Sequence, residues 1–408
     1  MGLQRVVYDV IIVGAGPAGS VTAYSCANAG LHTLLIDKAR FPRDKPCGGG
    51  LSLRSMDALH LAGIQVPTEL IERVISRAEL MGPDRIPFHI NAPKPFGYIT
   101  NRDQFDAYLA EQAVGAGADF IDGCELSNFE IHHNVIRCQT TQGEYEGIYL
   151  VGADGAATKV GRIAGLQPPM RADEVGIALE VNAPIPDHAW GTNVDPSMIY
   201  LWFLDIPYGY FWAFPREHSL SLGVGGMAGG LSRVPALLRG CIRLFQKRMG
   251  FSSLPLEKIR GHMLPVFPLR SKGFTGQRIL LVGDAAGFVD TFTGQGICYA
   301  IESGIIAGHI LAKTVKRHLT VLQLAKQYEH LIQRRFGKEL LYGGYIAQLV
   351  HSNLYGAFRT IRHLQSTSRF VFDIASGKDS YDRMRRNPLR FLGKTIVNEL
   401  KTRLSGRV

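Results

Sequence analysis

The sequence predicts an α/β fold, α+β overall: a discontinuous domain of parallel strands and helices, an inserted antiparallel sheet, and a helical C-terminal region. Three observations predict it. The chain opens as apolar run, glycine turn, helical stretch, glycine stop and second apolar run, "YDVIIVGAGPAGSVTAYSCANAGLHTLLIDK". Two more strand-to-turn elements follow downstream, "YLVGADGA" at 149–156 and "RILLVGDAAG" at 278–287. Between them, residues 170–265 read as β-rich with many Pro and Gly, and from Ile297 onward the period is almost wholly helical.

At 408 residues the chain is too long for one ordinary core. The expected division gives 1–80, 98–168 and 262–318 to the first domain, 81–97 and 169–261 to the sheet domain, and 319–408 to the helical region. Within the first domain, 103–114 has helical spacing, "GAGAD" ends it, a short strand follows at 119–122, and 127–150 alternates as a small antiparallel sheet does. No repeat or low-complexity segment interrupts this order.

With 46% hydrophobic and 20% charged residues the chain reads as globular. No apolar run reaches the roughly 18 residues that a bilayer crossing needs. "RVVYDVIIVG" enters a strand at once, which leaves no room for a signal peptide, and "MGLQRV" has Val6 where an acylation signal wants Ser or Thr. The six cysteines are scattered, without CxxC or His–Cys ligand spacing, which argues against zinc or a disulfide framework and for a reducing, cytoplasmic setting. The formal charge of +10 is concentrated near the C-terminus: 383–408 holds eight Lys or Arg and one Glu, interleaved with apolar residues. Such a segment either seats on the anionic inner face of a membrane or is a solvated basic helix. No nucleic-acid recognition motif accompanies the charge, so nucleic acid is not an expected partner.

"GAGPAG" places Gly14, Gly16 and Gly19 between a strand and a helix, and Asp37 ends the next strand. Glycines here permit a tight turn, backbone approach to a pyrophosphate, and close helix–strand packing. The helix N-terminus offers N–H groups and positive dipole, and Asp37 can accept from a ribose hydroxyl. "VGDAAG" then points to FAD rather than NAD: Asp284, delivered by a strand into a small-residue turn, suits a ribityl hydroxyl. "TGQGICYAIESG" starts another helix at Gly294, Gly296 and Ile297, where its dipole suits an anionic reduced ring.

With the N-terminal glycine turn, "GADG" at 152–155 and the "GD" of Gly283–Asp284, the chain resembles the FAD-dependent oxidoreductases of the para-hydroxybenzoate hydroxylase fold group. Within that group it resembles the geranylgeranyl reductases over nearly its whole length. "PCGGGLS" matches that family's glycine-rich cysteine segment, and "PYGYFWAFPREHSLSLGVG" its aromatic motif: Pro207, Tyr210, Trp212, Phe214 and Pro215, then seven residues to Gly223 and Gly225. The resemblance implies a Rossmann-like FAD-binding domain with contacts from Gly14, Gly16, Ala18, Gly19, Asp37, Cys47, Gly48, Gly50, Arg102, Leu126, Asp284, Gly296 and Ile297. Arg102 resembles the arginine laid across the FAD phosphates and ribityl chain, where a bidentate donor is favoured.

Strand alternation sends Tyr210, Trp212 and Phe214 to one face and Phe211 and Ala213 to the other. An aromatic wall of that kind, with Pro215, Gly223 and Gly225, suits a long apolar chain. By the family pattern the Cys47–Gly50 backbone passes against the isoalloxazine, and the aromatic strand borders the opposite side of one cavity. The implied activity is saturation of isolated double bonds in a geranylgeranyl chain of isoprenoid lipid biosynthesis, with Cys47, Tyr210 and Trp212 as catalytic candidates. The polyprenyl substrate is a prenylated lipid, a chlorophyll-type side chain or a quinone tail. No second nicotinamide fold is present, so NAD(P)H or ferredoxin must dock transiently as electron donor. A flavin monooxygenase or halogenase of the same fold is the alternative, although halogenases carry Trp-x-Trp-x-Ile-Pro where this chain has Tyr-x-Trp-x-Phe-Pro. A non-enzymatic, membrane-bound flavoprotein carrying electrons or lipid is the third reading.

Overall fold

The computed structural model describes residues 6–166, 175–227, 233–265, 273–363, 373–374 and 381. The basic stretch 383–408 lies outside the described residues. Five strands run parallel in the spatial order Ile279–Leu281, Gly143–Gly152, Val7–Val13, Thr33–Ile36, Asp119–Ile121, with Thr275–Gly276 antiparallel at one edge. The inner strands are near-continuous apolar runs because helices and chain cover both faces: Thr33–Ile36 and Ile279–Leu281 are buried throughout. Helix Pro17–Asn28 packs against Ile297–Arg317 and Arg102–Gly115. The strands Leu126–His132 and Val135–Thr140 form a meander with the first half of Gly143–Gly152, as the alternation over 127–150 predicts.

A second sheet has seven strands in the order Arg260–Pro265, Val175–Pro184, Ser219–Met227, Tyr210–Pro215, Met198–Phe203, Arg77–Met81, Pro87–Asn91. All neighbours are antiparallel except Met198–Phe203 with Arg77–Met81. The strands Arg77–Met81 and Arg260–Pro265 cross the boundaries expected at 80/81 and 261/262. A third, three-stranded sheet joins Gly50–Ser52, Gly97–Ile99 and Arg73–Ile75. It pins the downstream end of the Cys47 loop.

One expectation is corrected. The region 170–265 is not β-structure alone, because Val234–Met249 is a helix. Its buried residues Val234, Leu238, Cys241, Ile242 and Phe245 recur every three or four positions, and Gly250 closes it at φ 73°. This helix covers one face of the seven-stranded sheet, packing on Val181, Trp202, Phe211, Ala213, Leu222 and Val224. The opposite face is thereby left to Tyr210, Trp212 and Phe214, which lie in register with Gly225, Gly223 and Ser221. Helices Val321–Ile332, Lys338–Ser352 and Leu354–His363 continue the helical C-terminal region.

Candidate functional site

The glycine turn sits between Val7–Val13 and Pro17–Asn28, and its glycines serve different ends. Gly14 has φ +103°, and a side chain there would also strike Ala153. A Cβ on Gly19 would overlap the Gly14 carbonyl oxygen, so helix and strand meet there backbone to backbone. A Cβ on Gly16 would instead stand 3.6 Å from Arg43 Nη2, an ordinary contact. Ala18 is buried in the first turn of the helix. Asp37 follows Thr33–Ile36 and accepts from the N–H of Ala15 at 2.7 Å and of Ala39 at 2.8 Å. Cys124 N–H donates to the Asp37 carbonyl at 2.7 Å, which ties the segment leading into Leu126 to the same end of the sheet.

Asp284 lies in the short turn Gly283–Ala286. Its Oδ1 is 3.3 Å from the place of a Cβ on Gly296, so the carboxylate stands at the N-terminus of Ile297–Arg317. Gly294, at φ +70°, meets the Tyr210 hydroxyl where its own side chain would be. The 294–297 turn is therefore in contact with the aromatic strand.

The Cys47 loop meets that strand too. A Cβ on Gly48 would lie 2.7 Å from Phe214 Cδ2 and 3.4 Å from Trp212 Nε1. Loop and strand were expected across a cavity from one another; instead they touch at Gly48 and Phe214, because a residue without a side chain lets the ring close on its backbone. The Trp212 indole covers Gly223, where a Cβ would overlap Cζ2, and reaches Gly225, where a Cβ would stand 3.8 Å from Cζ3. Pro215 pairs with Leu220 at the strand's end. None of the three aromatic side chains belongs to the core under Val234–Met249.

Residues 7–336 match the family described as FAD binding domain. Digeranylgeranylglycerophospholipid reductase 2 of Methanopyrus kandleri is 30% identical over 359 residues, covering 82% of this chain and 84% of that protein. The chain belongs to the geranylgeranyl reductase family of FAD-dependent oxidoreductases. Menaquinone reductase of Mycobacterium tuberculosis is also 30% identical, over 81% of each chain. Among solved structures, a geranylgeranyl bacteriochlorophyll reductase-like protein from Thermoplasma acidophilum superposes with a TM-score of 0.82 at 25% identity, covering 98% of this chain and all of that one.

In this reductase-family chain the residues present fit FAD. Arg43, Lys45 and Arg102 crowd one another beside the glycine turn. Arg43 Nη2 binds Asp106 at 3.0 Å, and its Nη1 is buried without a hydrogen-bond partner among the described residues. Burial, then the neighbouring Arg102 and Arg43 charges, pull the Lys45 ammonium below the usual lysine range. Asp37, at 4.0 Å from Arg43 Nε, and Asp284 lie against this cluster as well, and the buried Arg43 donor left without a partner beside the glycine turn suits a diphosphate. Arg102 itself is 6% exposed and grips Asp106 through two bonds of 2.8 Å. It therefore begins its helix as a buried cation, and the Cys47 side chain adjoins its guanidinium.

Sequence reasoning could place no cation beside Cys47; the structure places Arg102 and Lys45 there. It also adds His262, whose ring nitrogens lie 3.0 and 3.2 Å from Lys45 Nζ and 3.9 Å (Nε2) from Asp284 Oδ2. No motif marks His262: it stands on Arg260–Pro265 and reaches the site through strand pairing alone. Asp154 of "GADG" has a local duty, capping Lys159–Ile163 by accepting from Lys159 N–H at 2.6 Å and Val160 N–H at 3.1 Å. Among the described residues no helix is long and apolar enough to cross a membrane.

Proposed function

We propose that the protein saturates isolated double bonds in a geranylgeranyl-type chain carried by a lipid, a chlorophyll-type molecule or a quinone. The observation that carries this reading is the meeting of Tyr210, Trp212 and Phe214 with both the Cys47 loop and the 294–297 turn. Gly14, Gly16, Ala18, Gly19, Asp37, Leu126 and Arg102 would hold the nucleotide half of FAD, and Cys47, Gly48, Gly50, Asp284, Gly296 and Ile297 the flavin half. Bound there and reduced, FAD would supply the hydride for one carbon of the alkene.

The chain's own residues do the rest. Tyr210, Trp212, Phe214, Pro215, Gly223 and Gly225 present an apolar wall that binds a prenyl chain and keeps water from it. An unconjugated alkene accepts hydride poorly, so cationic character develops at the tertiary carbon. The Tyr210 and Trp212 rings suit that charge. Burial first, and Cys47 second, push the Tyr210 phenol up to about 12. Its proton thus stays on Oη at neutral pH. Cys47 Sγ accepts from Gly49 N–H at 3.4 Å and adjoins Arg102. The Tyr210 hydroxyl or the Cys47 thiol gives its proton to the second alkene carbon and recovers one from solvent after the product leaves. NAD(P)H or ferredoxin docks transiently to supply electrons, and the basic C-terminal segment brings the protein to prenyl lipid at a membrane surface.

The test is direct. FAD-loaded protein reduced with dithionite is incubated with a geranylgeranyl lipid, and products are read by mass spectrometry. Each saturated bond adds two hydrogens. No mass gain on lipid, diphosphate or quinone forms of the chain would sink the assignment.

A further inference from the structure

We propose that Arg216 and Glu180 are positioning residues that hold the Cys47–Gly49 loop and the Trp212 indole in one fixed arrangement. Arg216 follows Pro215 at the turn between Tyr210–Pro215 and Ser219–Met227, and its side chain is 11% exposed. Its guanidinium reaches into the loop. Nη2 donates to the Cys47 carbonyl at 2.8 Å, and Nη1 donates to the Thr100 carbonyl at 3.2 Å. Thr100 N–H in turn donates to the Gly49 carbonyl at 2.9 Å. The planar fork therefore bridges the loop to the end of the strand that receives it with two donors held in one rigid geometry, where a lysine ammonium would be a flexible point charge. Gly49, at φ +77°, leaves room for this: a Cβ there would stand 3.4 Å from the guanidinium carbon and overlap the Thr100 carbonyl.

Glu180 joins this anchor to a second one. It is 2% exposed on Val175–Pro184, facing Gly223 in the strand register. Its Oε1 accepts from the Ser221 hydroxyl at 2.8 Å, and Ser221 Oγ accepts from Trp212 Nε1 at 3.2 Å. The same Oε1 is 4.0 Å from Arg216 Nη2. One buried carboxylate thus fixes the indole on one side and the cation that carries the Cys47 carbonyl on the other. Glu72 Oε2 lies 3.5 Å from Arg216 Nη1, so two carboxylates face the one guanidinium, and burial raises the Glu72 carboxyl despite that cation. Both Arg216 and Ser221 fall in the seven residues between Pro215 and Gly223 that the aromatic motif leaves open.

The effect on reduction rests on the function proposed above, whereas the effect on the loop does not. The test separates the two. FAD-loaded wild type, R216Q, R216K, E180Q and R216Q/E180Q are labelled with iodoacetamide, each thiol is followed by peptide mass spectrometry, and turnover of a geranylgeranyl lipid is measured alongside. Cys47 is half-buried and the other five cysteines are buried, so labelling reports on each place separately. In R216Q, Cys47 is expected to label about tenfold faster while the other five stay protected, as for a local opening. R216K is expected to fall between, keeping one carbonyl bond. E180Q is expected to move Cys47 in the same direction less strongly. kcat is expected to fall tenfold to a hundredfold, with order-of-magnitude precision, and KM to stay within about twofold, as for a misplaced reacting group. If R216Q does not fold, R216Q/E180Q removes both buried charges and takes its place. Wild-type labelling of Cys47 in R216Q, or equal acceleration of all six thiols, overturns the inference. Loop-specific labelling in a protein that saturates no prenyl chain upholds the inference and sinks the proposed function.

Discussion

Gly19 and Gly48 both keep a side chain out of an occupied place, but the occupants differ in what can yield. At Gly19 the occupant is the Gly14 carbonyl, part of the turn itself. At Gly48 it is the Phe214 ring, 2.7 Å from where a Cβ would be, which can swing. G19A is therefore expected to spread strand from helix and to abolish measurable FAD binding in a fluorescence titration. G48A is expected to bind FAD and to fold with a loss of about 1–3 kcal/mol, as overpacked sites do. In G48A the displaced Phe214 disturbs the wall, so prenyl turnover falls more than stability does. G48A/F214L should recover most of the stability; if it recovers none, Phe214 is not what Gly48 accommodates. The glycines were legible because turn and close approach admit one residue type at fixed spacing. Arg216 was not, since an arginine in an unspecified spacer looks like any surface cation until the hairpin places it on a loop 169 residues away.

The helix Ile297–Arg317 begins at the site and is held by a buried ion network. Glu302 is 3% exposed and accepts from Arg54 Nε at 2.8 Å, Arg54 Nη2 at 2.7 Å and Arg335 Nη2 at 2.8 Å. Arg54 also donates to Glu339 at 2.8 Å. Three elements, Leu53–Leu61, Ile297–Arg317 and Lys338–Ser352, are thereby locked together around residues flanking the Cys47 loop. Removing the central charge leaves Arg54 buried and undercompensated, so E302Q is expected to lose about 3–5 kcal/mol. Arg335 is 55% exposed in its side chain, and R335Q is expected to lose under about 1 kcal/mol. Urea midpoints of the two variants check this; equal losses would mean that the network does not centre on Glu302. At this scale the sequence was legible where one period dominates, as in the opening strand–turn–helix. Helix Val234–Met249 was missed because strands on both sides set the expectation for the whole region, although its own three-and-four spacing is regular. The pairing of Glu302 with Arg54, 248 residues apart, leaves no local trace in the sequence.

Across the whole molecule, the inserted sheet works because its two faces are covered by different things: Val234–Met249 on one, the FAD-binding layer and C-terminal helices on the other. Alternation over 210–214 showed that two faces exist, but not which face the missed helix would take. The C-terminal helices bring His351 onto Tyr208, with ring centroids 5.0 Å apart, and Phe358 onto Phe203 at 4.9 Å. Burial pulls the His351 imidazole down from 6.5 to about 4. Above pH 6.5 the ring is neutral in both folded and unfolded chains and makes no pH-dependent contribution. Between 6.5 and about 4 the unfolded chain takes up a proton that the folded chain refuses, so stability falls as pH drops through this window. A shift of this size corresponds to about 3 kcal/mol once both pKa values are passed. The buried carboxyls of Glu72, Asp290 and Glu339, raised chiefly by desolvation, act in the opposite sense, favouring the fold more as pH falls toward the carboxylate range. H351F keeps a ring against Tyr208 and removes the titration, leaving those carboxyls in place. Urea unfolding from pH 7 to 4.5 should therefore show wild type losing stability relative to H351F as pH falls, with the two curves separating below 6.5. Parallel curves would mean that the folded protein accepts a proton at His351 as readily as the unfolded chain does, and that the C-terminal helices do not seal the far end of the aromatic face.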